Sequence, residues 1–562
     1  MNIDNDFIAD QFSLLAKLMD IHGENSFKTK SYSVAAFTLE KFPQPIREIP
    51  PEKITSIKGI GDAIGKKIQQ ILHTGELPLL QEYIGKTPPG VIEMLRIKGL
   101  GPKKISTIWK EMEVESIGEL LYACQENRLL LYKGFGEKTQ ENVRATIEFF
   151  LKSQGSHLFA EIEAYALAMQ TLLQKNFPTE KLALTGDFRR QLEIIDLLQW
   201  VTTIKPAAIH AFFEGQGYKT EGEENTAHSR FKGPEGVLVG IIHTTREAFI
   251  PTLLTTSCSG EFLEAWTAAT QWDPNHPYAS EEEIFSAANM HFIPAGRREQ
   301  RKILETAGAG PLPDPIQSGD IRAIIHSHSD WSDGTNTLEE MAKACIKKGY
   351  EYLVISDHSK SAFYANGLKE DRIREQHAQI DELNRQLAPF VVFKSIECDI
   401  LNDGTLDYSD NILASFDLVI TSVHSNLKMS EEKAMLRLLG AIRNPYTTIL
   451  GHMTGRLLLS RPGYPVDHKK IIEACAENKV VIELNAHPRR LDMDWRWIDY
   501  ALEKGVLISI DPDAHSTAGY DHVKYGVLAA QKAGVTAKQN LSSFTLTQFR
   551  EFLAEHKKAR GI

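Results

Sequence analysis

The sequence predicts a multidomain chain: a helical N-terminal region, a small α+β unit, and a C-terminal α/β domain with a parallel sheet. Three observations predict this. One glycine-turn motif recurs three times before residue 150. Strand-like runs accompany one long amphipathic helix between residues 155 and 245. Beyond residue 320, strands and helices alternate, and polar residues stand repeatedly at the strand ends.

The bulk properties bound the reading. A chain of 562 residues holds about three to five domains. Hydrophobic residues at 42% and charged residues at 24% are ordinary globular values. No run of about 18 apolar residues occurs, so no membrane-spanning helix is expected. The start, "MNIDNDFIADQF", is acidic and lacks the basic stretch and apolar core of a signal peptide. Five cysteines lie far apart without a CxxC pair, which suits a reducing, cytoplasmic protein and excludes a disulfide frame or a Cys-based zinc site. A monomer is the expected state. The net charge of −11 excludes a protein coated in positive charge, so any grip on nucleic acid must be local.

The repeats supply such a grip. "SIKGIGDAIGKKIQQIL" (56–72), "RIKGLGPKKISTIWKEM" (96–112) and "LYKGFGEKTQENVRATI" (131–147) share the order apolar, Lys, Gly, apolar, Gly, then an amphipathic helix. Glycines at 59 and 61, 99 and 101, and 134 and 136 (Gly59, Gly61, Gly99, Gly101, Gly134, Gly136) let backbone N–H groups approach a phosphate at a helix N-terminus. Lys66, Lys67, Lys103, Lys104 and Lys138 add counter-charge in the first turns. Such contacts hold a DNA backbone without reading bases. The segments resemble helix-hairpin-helix motifs, which implies DNA as partner with no sequence preference.

The next segment is less regular. "KLALTG", "LEIIDLLQWVTT" and "GVLVGIIHTT" predict a small sheet, and residues 246–300 return to helix. "AGAGPLPDPIQSGD" (307–320) reads as a linker.

The last segment carries the clearest chemistry. His326 and His328 stand two apart in "IHSHSDWSDG", a spacing that puts both on one strand face, and Asp333 follows in the loop. His358 ends "ISDHS", Glu397 lies in "SIECDI", His424 in "TSVHS", His452 in "LGHMT", and Asp513 and His515 in "DPDAHS". Every strand in this stretch except the one ending "ELNAH" delivers a nitrogen or oxygen donor. Nine such donors suit borderline metals, Zn, Mn or Fe. Several divalent ions held close together lower the pKa of a water, hold a phosphate and stabilise a leaving oxygen, so phosphate-ester hydrolysis is the expected reaction. Arg489 or Arg490 could hold a second phosphate, against the simpler reading of a solvated turn.

The motifs "HSHSDWSDG", "SDHS", "ECD", "SVH", "GH" and "DAH" resemble the PHP (polymerase and histidinol phosphatase) domain. That resemblance implies a distorted (β/α)7 barrel with three metal ions. It assigns His326, His328, Glu397 and Asp513 to one ion, Glu397, His424 and His452 to a second, and Asp333, His358, His515 and the shared Asp513 to a third. His326, His328, Glu397, Asp513 and His515 are the residues it makes catalytic. Ile324 departs from the pattern, where many relatives carry Asp before the first His.

The rest of the chain resembles bacterial family X DNA polymerases. This implies an N-terminal lyase-like domain (1–80), a fingers-like helix-hairpin-helix domain (81–154), a nucleotidyltransferase palm (155–245), a thumb-like domain (246–306), the linker (307–320) and the PHP domain (321–562). Lys67 falls where some relatives keep a Schiff-base lysine, but Ala63 replaces another basic residue, and lyase chemistry is not expected. Residues 185–203 are similar to the palm motif Gly-Ser-x-Arg-Arg followed by Asp-x-Asp. Gly186, Arg189, Arg190 and Asp196 match. Asp187 replaces the phosphate-holding Ser, Leu198 the second Asp, and Gly240 stands at the third. Thr256 and Cys258 stand near where the family has an aromatic residue and Gly. Glu193 and Glu235 are other carboxylates nearby, but Glu193 falls on the opposite strand face from Asp196. Nucleotidyl transfer needs carboxylates bridging two Mg²⁺ ions. The expectation is therefore a DNA-binding, metal-dependent 3′-5′ exonuclease or 3′-end-processing phosphoesterase of repair, acting on gapped, nicked or 3′-ended DNA, with its polymerase site decayed. A working gap-filling polymerase with a PHP exonuclease, and a non-catalytic DNA-end scaffold, stay open as alternatives.

Overall fold

The three glycine motifs adopt one backbone conformation in the computed structural model, which describes residues 3–562 except positions 43, 98, 153, 154, 223–226 and 235. Gly59, Gly99 and Gly134 all have φ +95°. Each is the third residue of a turn closed by one amide: Ile60 N to Ile57 O at 2.9 Å, Leu100 N to Ile97 O at 3.1 Å, and Phe135 N to Tyr132 O at 3.1 Å. Positive φ at that position selects glycine. Ile60, Leu100 and Phe135 are buried and pin each turn to the core. The helices Asp62–Thr74 and Pro102–Lys110 then start at Gly61 and Gly101 with no side-chain cap, and a third helix, Glu137–Lys152, follows Gly136.

These turns belong to the first of two compact units, which ends at Glu148; the second runs from Phe149 to Ile562. The first unit is helical throughout. Its first helix, Asn5–His22, begins at Asp4, whose carboxylate accepts the Phe7 amide at 2.9 Å, and buries Ile8, Phe12, Leu15 and Met19.

The second unit opens with a two-stranded pair, β1 (His157–Leu158) and β3 (Ile194–Ile195), and a five-stranded mixed sheet. That sheet holds β2 (Leu182–Thr185), β4 (Leu198–Thr202), β5 (Lys219–Thr220), β6 (His228–Lys232) and β7 (Leu238–His243) in the order β2-β4-β7-β6-β5. Only β4 and β7 are parallel. Helices Phe159–Asn176 and Pro206–Gly215 cover one face, burying Leu198, Trp200, Phe213 and Phe231. Helices between Phe249 and Ala309 form a separate core around Phe262, Trp266 and Phe285. The stretch expected as a linker is docked rather than free: Ala307 lies in that helical core and Ile316 in the next one, its amide bonded to Val535 O at 2.8 Å.

The C-terminal region is a parallel barrel. Its strands are β8 (Ala323–Ser327), β9 (Tyr352–Ile355), β10 (Val391–Lys394) with β11 (Glu397–Asp399), β12 (Val419–Ser422), β13 (Thr447–Leu450), β14 (Val481–Asn485) and β15 (Ile508–Asp511). β10 and β11 are halves of one strand broken at Ser395 and Ile396: β10 pairs with β9 and β11 with β12. The ends meet where Ser327 bridges Ala514 and the His328 amide bonds Ala514 O at 2.9 Å. Seven strands thus close into the distorted barrel that the sequence predicted. Ile325, Val354, Phe393, Ile420 and Ile449 fill it, with Phe549 and Leu553 of helix Leu546–Arg560 packed into the same cluster. No helix among the described residues is long and apolar enough to cross a membrane.

The shared turn gives a graded prediction. An added methyl at Gly99 meets nothing within 4 Å, whereas at Gly59 it meets Thr38 Oγ1 at 2.8 Å. Gly99→Ala should therefore cost only the backbone term, about 1–2 kcal/mol, and Gly59→Ala more; denaturant unfolding of the full chain should rank the two in that order.

Candidate metal centre

The C-terminal mouth of the barrel gathers all nine predicted donors. His326 and Asp513 are held at φ +56° and +50°, uncommon for residues with a side chain. The pairing of β8 with β9 shifts register between Ile324 and Ser327, so the two histidines are turned inward by a bulge rather than by plain alternation. Both are fully buried, with ring centroids 5.3 Å apart. The loop after them is tight. The Gly334 amide bonds Ser329 O at 2.9 Å, and a Cβ at Gly334 would lie 2.4 Å from His328 O, so glycine is required there.

Glu397 is the hub. Its Oε1 lies 3.3 Å from His326 Nε2, 3.1 Å from His424 Nε2 and 2.9 Å from His452 Nε2; its Oε2 lies 3.0 Å from His358 Nδ1 and 3.6 Å from His328 Nε2. Asp513 Oδ1 is 3.1 Å from His328 Nε2. Asp333 approaches His358 Nε2 at 3.5 Å and His515 Nε2 at 3.4 Å.

Donor atoms within 4.8 Å of one another fall into three sets: His326, His328, Glu397 and Asp513; His328, Asp333, His358 and His515; and His358, Glu397 and His424. The first has the expected membership. The second contains His328 where Asp513 was expected, because the His328 ring stacks between His358 and His515 at 4.4 and 4.3 Å and turns Nδ1 toward Asp333. The third contains His358 where His452 was expected; His452 instead bonds Glu397 directly.

These donors fit divalent ions. His326 Nε2, His328 Nδ1, Asp333 Oδ2 and Glu397 Oε2 are buried and make no hydrogen bond, which is costly unless a cation completes them. Electrostatics agrees. Burial would raise the carboxyl pKa of Glu397, but His424, His326 and His358 outweigh it and hold it well below the usual range. Asp333 and Asp513 are held low in the same way, against burial, chiefly by His358 and by His326. Burial pushes His328 down to about 3, with His515 and His358 beside it, so it stays a neutral donor. Burial opposes protonation of His424 too, yet Glu397 and Asp399 raise it to about 9.

Several supporting residues escaped the sequence reading. Glu483 accepts from His326 Nδ1 and takes the His452 amide at 2.6 Å. Asp399 bonds His424 Nδ1 at 2.9 Å, and Asn485 donates to Asp513 Oδ2 at 3.0 Å. Such partners fix ring orientation and basicity. Glu483 and Asn485 lie on β14, the strand set aside for delivering no donor; their alternate spacing at a strand end was the available signal. Asp357 is structural: it accepts the Ser329 amide and hydroxyl at 2.8 and 2.7 Å and Gln376 at 2.6 Å. Ile324 is buried in the barrel's apolar layer. Arg489 and Arg490 are buried rather than solvated; Arg490 Nε lies 3.7 Å from Asp513 Oδ2, and Arg489 pairs with Glu161 at 2.7 Å.

The palm-like sheet is arranged otherwise. Asp196 is exposed and precedes β4, while Leu198 points into the core. The two do not share a face, so the expected pair of positions is corrected. The open face is set by Leu197, Gln199 and Gly240: Gln199 pairs with Gly240 across β4 and β7, and a Cβ on Gly240 would meet Leu197 Cδ2 at 3.2 Å and Gln199 Cγ at 3.3 Å. The pocket over this face is lined also by His228, Arg230 and Glu221, and Glu221 lies 4.0 Å from Lys232. Gly186, at φ +63°, opens the turn that carries the arginines. Arg189 is bound by Glu281 at 2.6 Å, and Arg190 by Asp187 and by Glu299 at 3.2 Å. Glu193 is buried against Arg496, and Glu235 lies outside the described residues. Of the hairpin lysines, Lys66, Lys103 and Lys138 are exposed and Lys67 and Lys104 half-buried.

Fold and site define a helix-hairpin-helix protein whose C-terminal barrel is a metal-dependent phosphoesterase. Residues 3–77 match the helix-hairpin-helix domain, 91–148 the SAM-like helix-hairpin-helix tandem and 325–487 the PHP domain. Over 96% of its length the chain is 31% identical to the DNA polymerase/3′-5′ exonuclease PolX of Bacillus subtilis (strain 168), covering 97% of that protein. Over 42% of its length the chain is 26% identical to a probable phosphatase of Thermoanaerobacter sp. (strain X514), covering 96% of that protein. Over 34% of its length the chain is also 27% identical to the probable phosphatase YcdX of Escherichia coli O81 (strain ED1a), covering 78% of that protein. The chain belongs to the bacterial family X DNA polymerases that carry a PHP domain.

Metal uptake should displace protons. Because His424 is raised to about 9, a cation binding there at neutral pH must release its proton. Apparent affinity for Zn²⁺ or Mn²⁺ should fall as pH is lowered from about 8 to 6, by about tenfold per unit for each proton displaced. Calorimetric titration in buffers of different ionisation enthalpy will count those protons.

Proposed function

We propose that this protein is a DNA-end-processing phosphoesterase, of the 3′-5′ exonuclease or 3′-end-cleaning type, whose reaction belongs to the barrel mouth and whose polymerase site is lost. The observation that carries the reading is the contrast between two sites. The barrel mouth gathers eight donors around Glu397, all of them buried but the half-buried His424, whereas the open palm face presents Leu197, Gln199 and Gly240 where bridging carboxylates would be needed. The name of the Bacillus relative includes a 3′-5′ exonuclease, which supports DNA as the substrate here. We keep the division into lyase-like, fingers-like, palm, thumb-like and PHP segments at the boundaries given above.

Divalent ions in the three donor sets, Zn, Mn or Fe, supply Lewis acidity to a phosphate ester. The chain's own residues do the rest. His326, His328, Glu397, Asp513 and His515 hold the centre, and Glu483, Asp399 and Asn485 fix their orientation. Arg490, beside Asp513, gives a substrate phosphate a positive partner. The hairpin turns hold the duplex backbone through the uncapped amides after Gly61 and Gly101, through the helix start after Gly136, and through Lys66, Lys67, Lys103, Lys104 and Lys138. Gapped, nicked or 3′-ended duplex without sequence preference is the substrate class, met by a monomer in the cytoplasm.

The tests are direct. His326→Ala and Asp513→Ala should each lower metal-dependent cleavage of a 3′-ended duplex by about 10²-fold or more, measured on labelled oligonucleotides; undiminished cleavage refutes the assignment. Primer extension across a gap with Mg²⁺ or Mn²⁺ should yield no product, and extension would restore the polymerase reading. Lys103→Ala should weaken binding evenly across sequences and lower the salt slope by about 1, read by fluorescence anisotropy at several salt concentrations.

A further inference from the structure

We infer that the palm motif serves as a positioning device for the barrel: Glu161 and Glu193 clamp the loop after β14 and thereby hold Arg490 in the metal mouth. This rests on the phosphoesterase reading above and gives the palm a task in it.

The loop spans residues 486–496. At its start, Asn485 holds Asp513 at 3.0 Å. Within it, adjacent arginines point opposite ways. Arg490 lies 3.7 Å from Asp513, while Arg489 Nη2 reaches out to Glu161 Oε1 at 2.7 Å, with only 4% of its side chain exposed. At the far end, Arg496 Nη1 meets Glu193 Oε1 at 2.7 Å, and Trp495 Nε1 donates to Glu193 Oε2 at 3.3 Å. Glu161 begins the helix that covers the palm sheet, and Glu193 closes the turn after Arg189 and Arg190. Both ends of the loop are thus held by palm carboxylates.

A third anchor lies beneath. Lys532 Nζ donates to Arg190 O at 2.6 Å and Gly296 O at 3.1 Å, pairs with Glu299 at 3.2 Å, and sits 4.6 Å from the Trp495 ring centroid. The segment expected to hold a nucleotide therefore has its polar groups committed elsewhere. Arg190 binds Asp187 and Glu299 by its side chain and Lys532 by its carbonyl, and Glu193 binds the barrel.

Each contact has one buried partner: Arg489 is 4% and Glu193 9% exposed, while Glu161 and Arg496 are open to solvent at 36% and 46%. Fully exposed ion pairs contribute little, but withdrawing a carboxylate from the buried Arg489 side chain weakens what holds it in place. Arg489 and Arg490 share one peptide unit, so the Glu161 contact limits where the Arg490 guanidinium can go. Because Arg490 would meet substrate rather than metal, a loosened clamp should weaken substrate binding while leaving the metals in place.

The test uses the full-length, metal-loaded chain. Glu161→Ala should raise KM for a 3′-ended duplex about tenfold with kcat within about twofold, metal content per chain should be unchanged, and Glu161→Asp should recover most of the loss. Amide hydrogen exchange across residues 486–494 should quicken in Glu161→Ala and in Glu193→Ala. Wild-type KM in both alanine variants, or a loss that merely tracks lost metal, overturns the inference. If the unaltered chain shows no metal-dependent hydrolysis, the phosphoesterase reading fails, and exchange alone then decides: quickened exchange upholds the clamp and unchanged exchange overturns it.

Discussion

Three ionised carboxylates lie buried together in the barrel mouth, and much of the barrel is arranged to make that tolerable. Glu397, Asp333 and Asp513 lie among six histidines with almost no water contact. Charges of one sign in a poorly polarisable interior repel strongly and lose their hydration. They persist only where cations, or protonated imidazoles in their stead, lie within contact distance. This demand explains the barrel's distortions. The strand carrying Glu397 is broken at Ser395 and Ile396, so that its second half changes partner. His326 and Asp513 take left-handed backbone angles. Closure of the barrel brings His328 against Asp513, 185 residues away in sequence.

Much of this was legible in the sequence, and the limits have physical causes. Strand and helix alternation gave the α/β domain and its parallel sheet, because buried parallel strands read as short apolar runs, and the PHP resemblance gave its closure into a barrel. The nine donors were legible because they cluster at or just beyond strand ends, or, for Glu397, at the break in a strand, and these share one rim. Their grouping was not: which of two ring nitrogens a histidine presents depends on stacking, as His328 between His358 and His515 demonstrates. Glu483 was missed because a carboxylate on an apolar strand is indistinguishable, in one sequence, from any polar strand end. The palm register slipped by one residue because Asp196 precedes its strand.

The palm-like sheet keeps its packing and its open pocket on opposite faces. Leu198, Trp200, Phe213 and Phe231 pack beneath the sheet and keep the fold. Leu197, Gln199 and Gly240 face out, where exchanging a carboxylate for a neutral side chain leaves that packing intact and removes like-charge repulsion. The arginines of the same motif are neutralised from outside the sheet, by Glu281 and Glu299.

The barrel mouth moves in the other direction, and its charge sets an order of events. A phosphate approaching Glu397, Asp333 and Asp513 meets three anions in a chain whose net charge is already −11. Protonated histidines balance part of that charge but hold it in internal pairs, with His326 on Glu483 and His424 on Asp399. Divalent cations bring more charge per site than the protons they displace, so loading turns the mouth from repelling phosphate to attracting it. The hairpin turns of the first unit carry no such condition, since their amides and lysines are positive from the start. Capture of a DNA backbone by those turns is thus independent of metal, whereas entry of a phosphate into the barrel mouth depends on it.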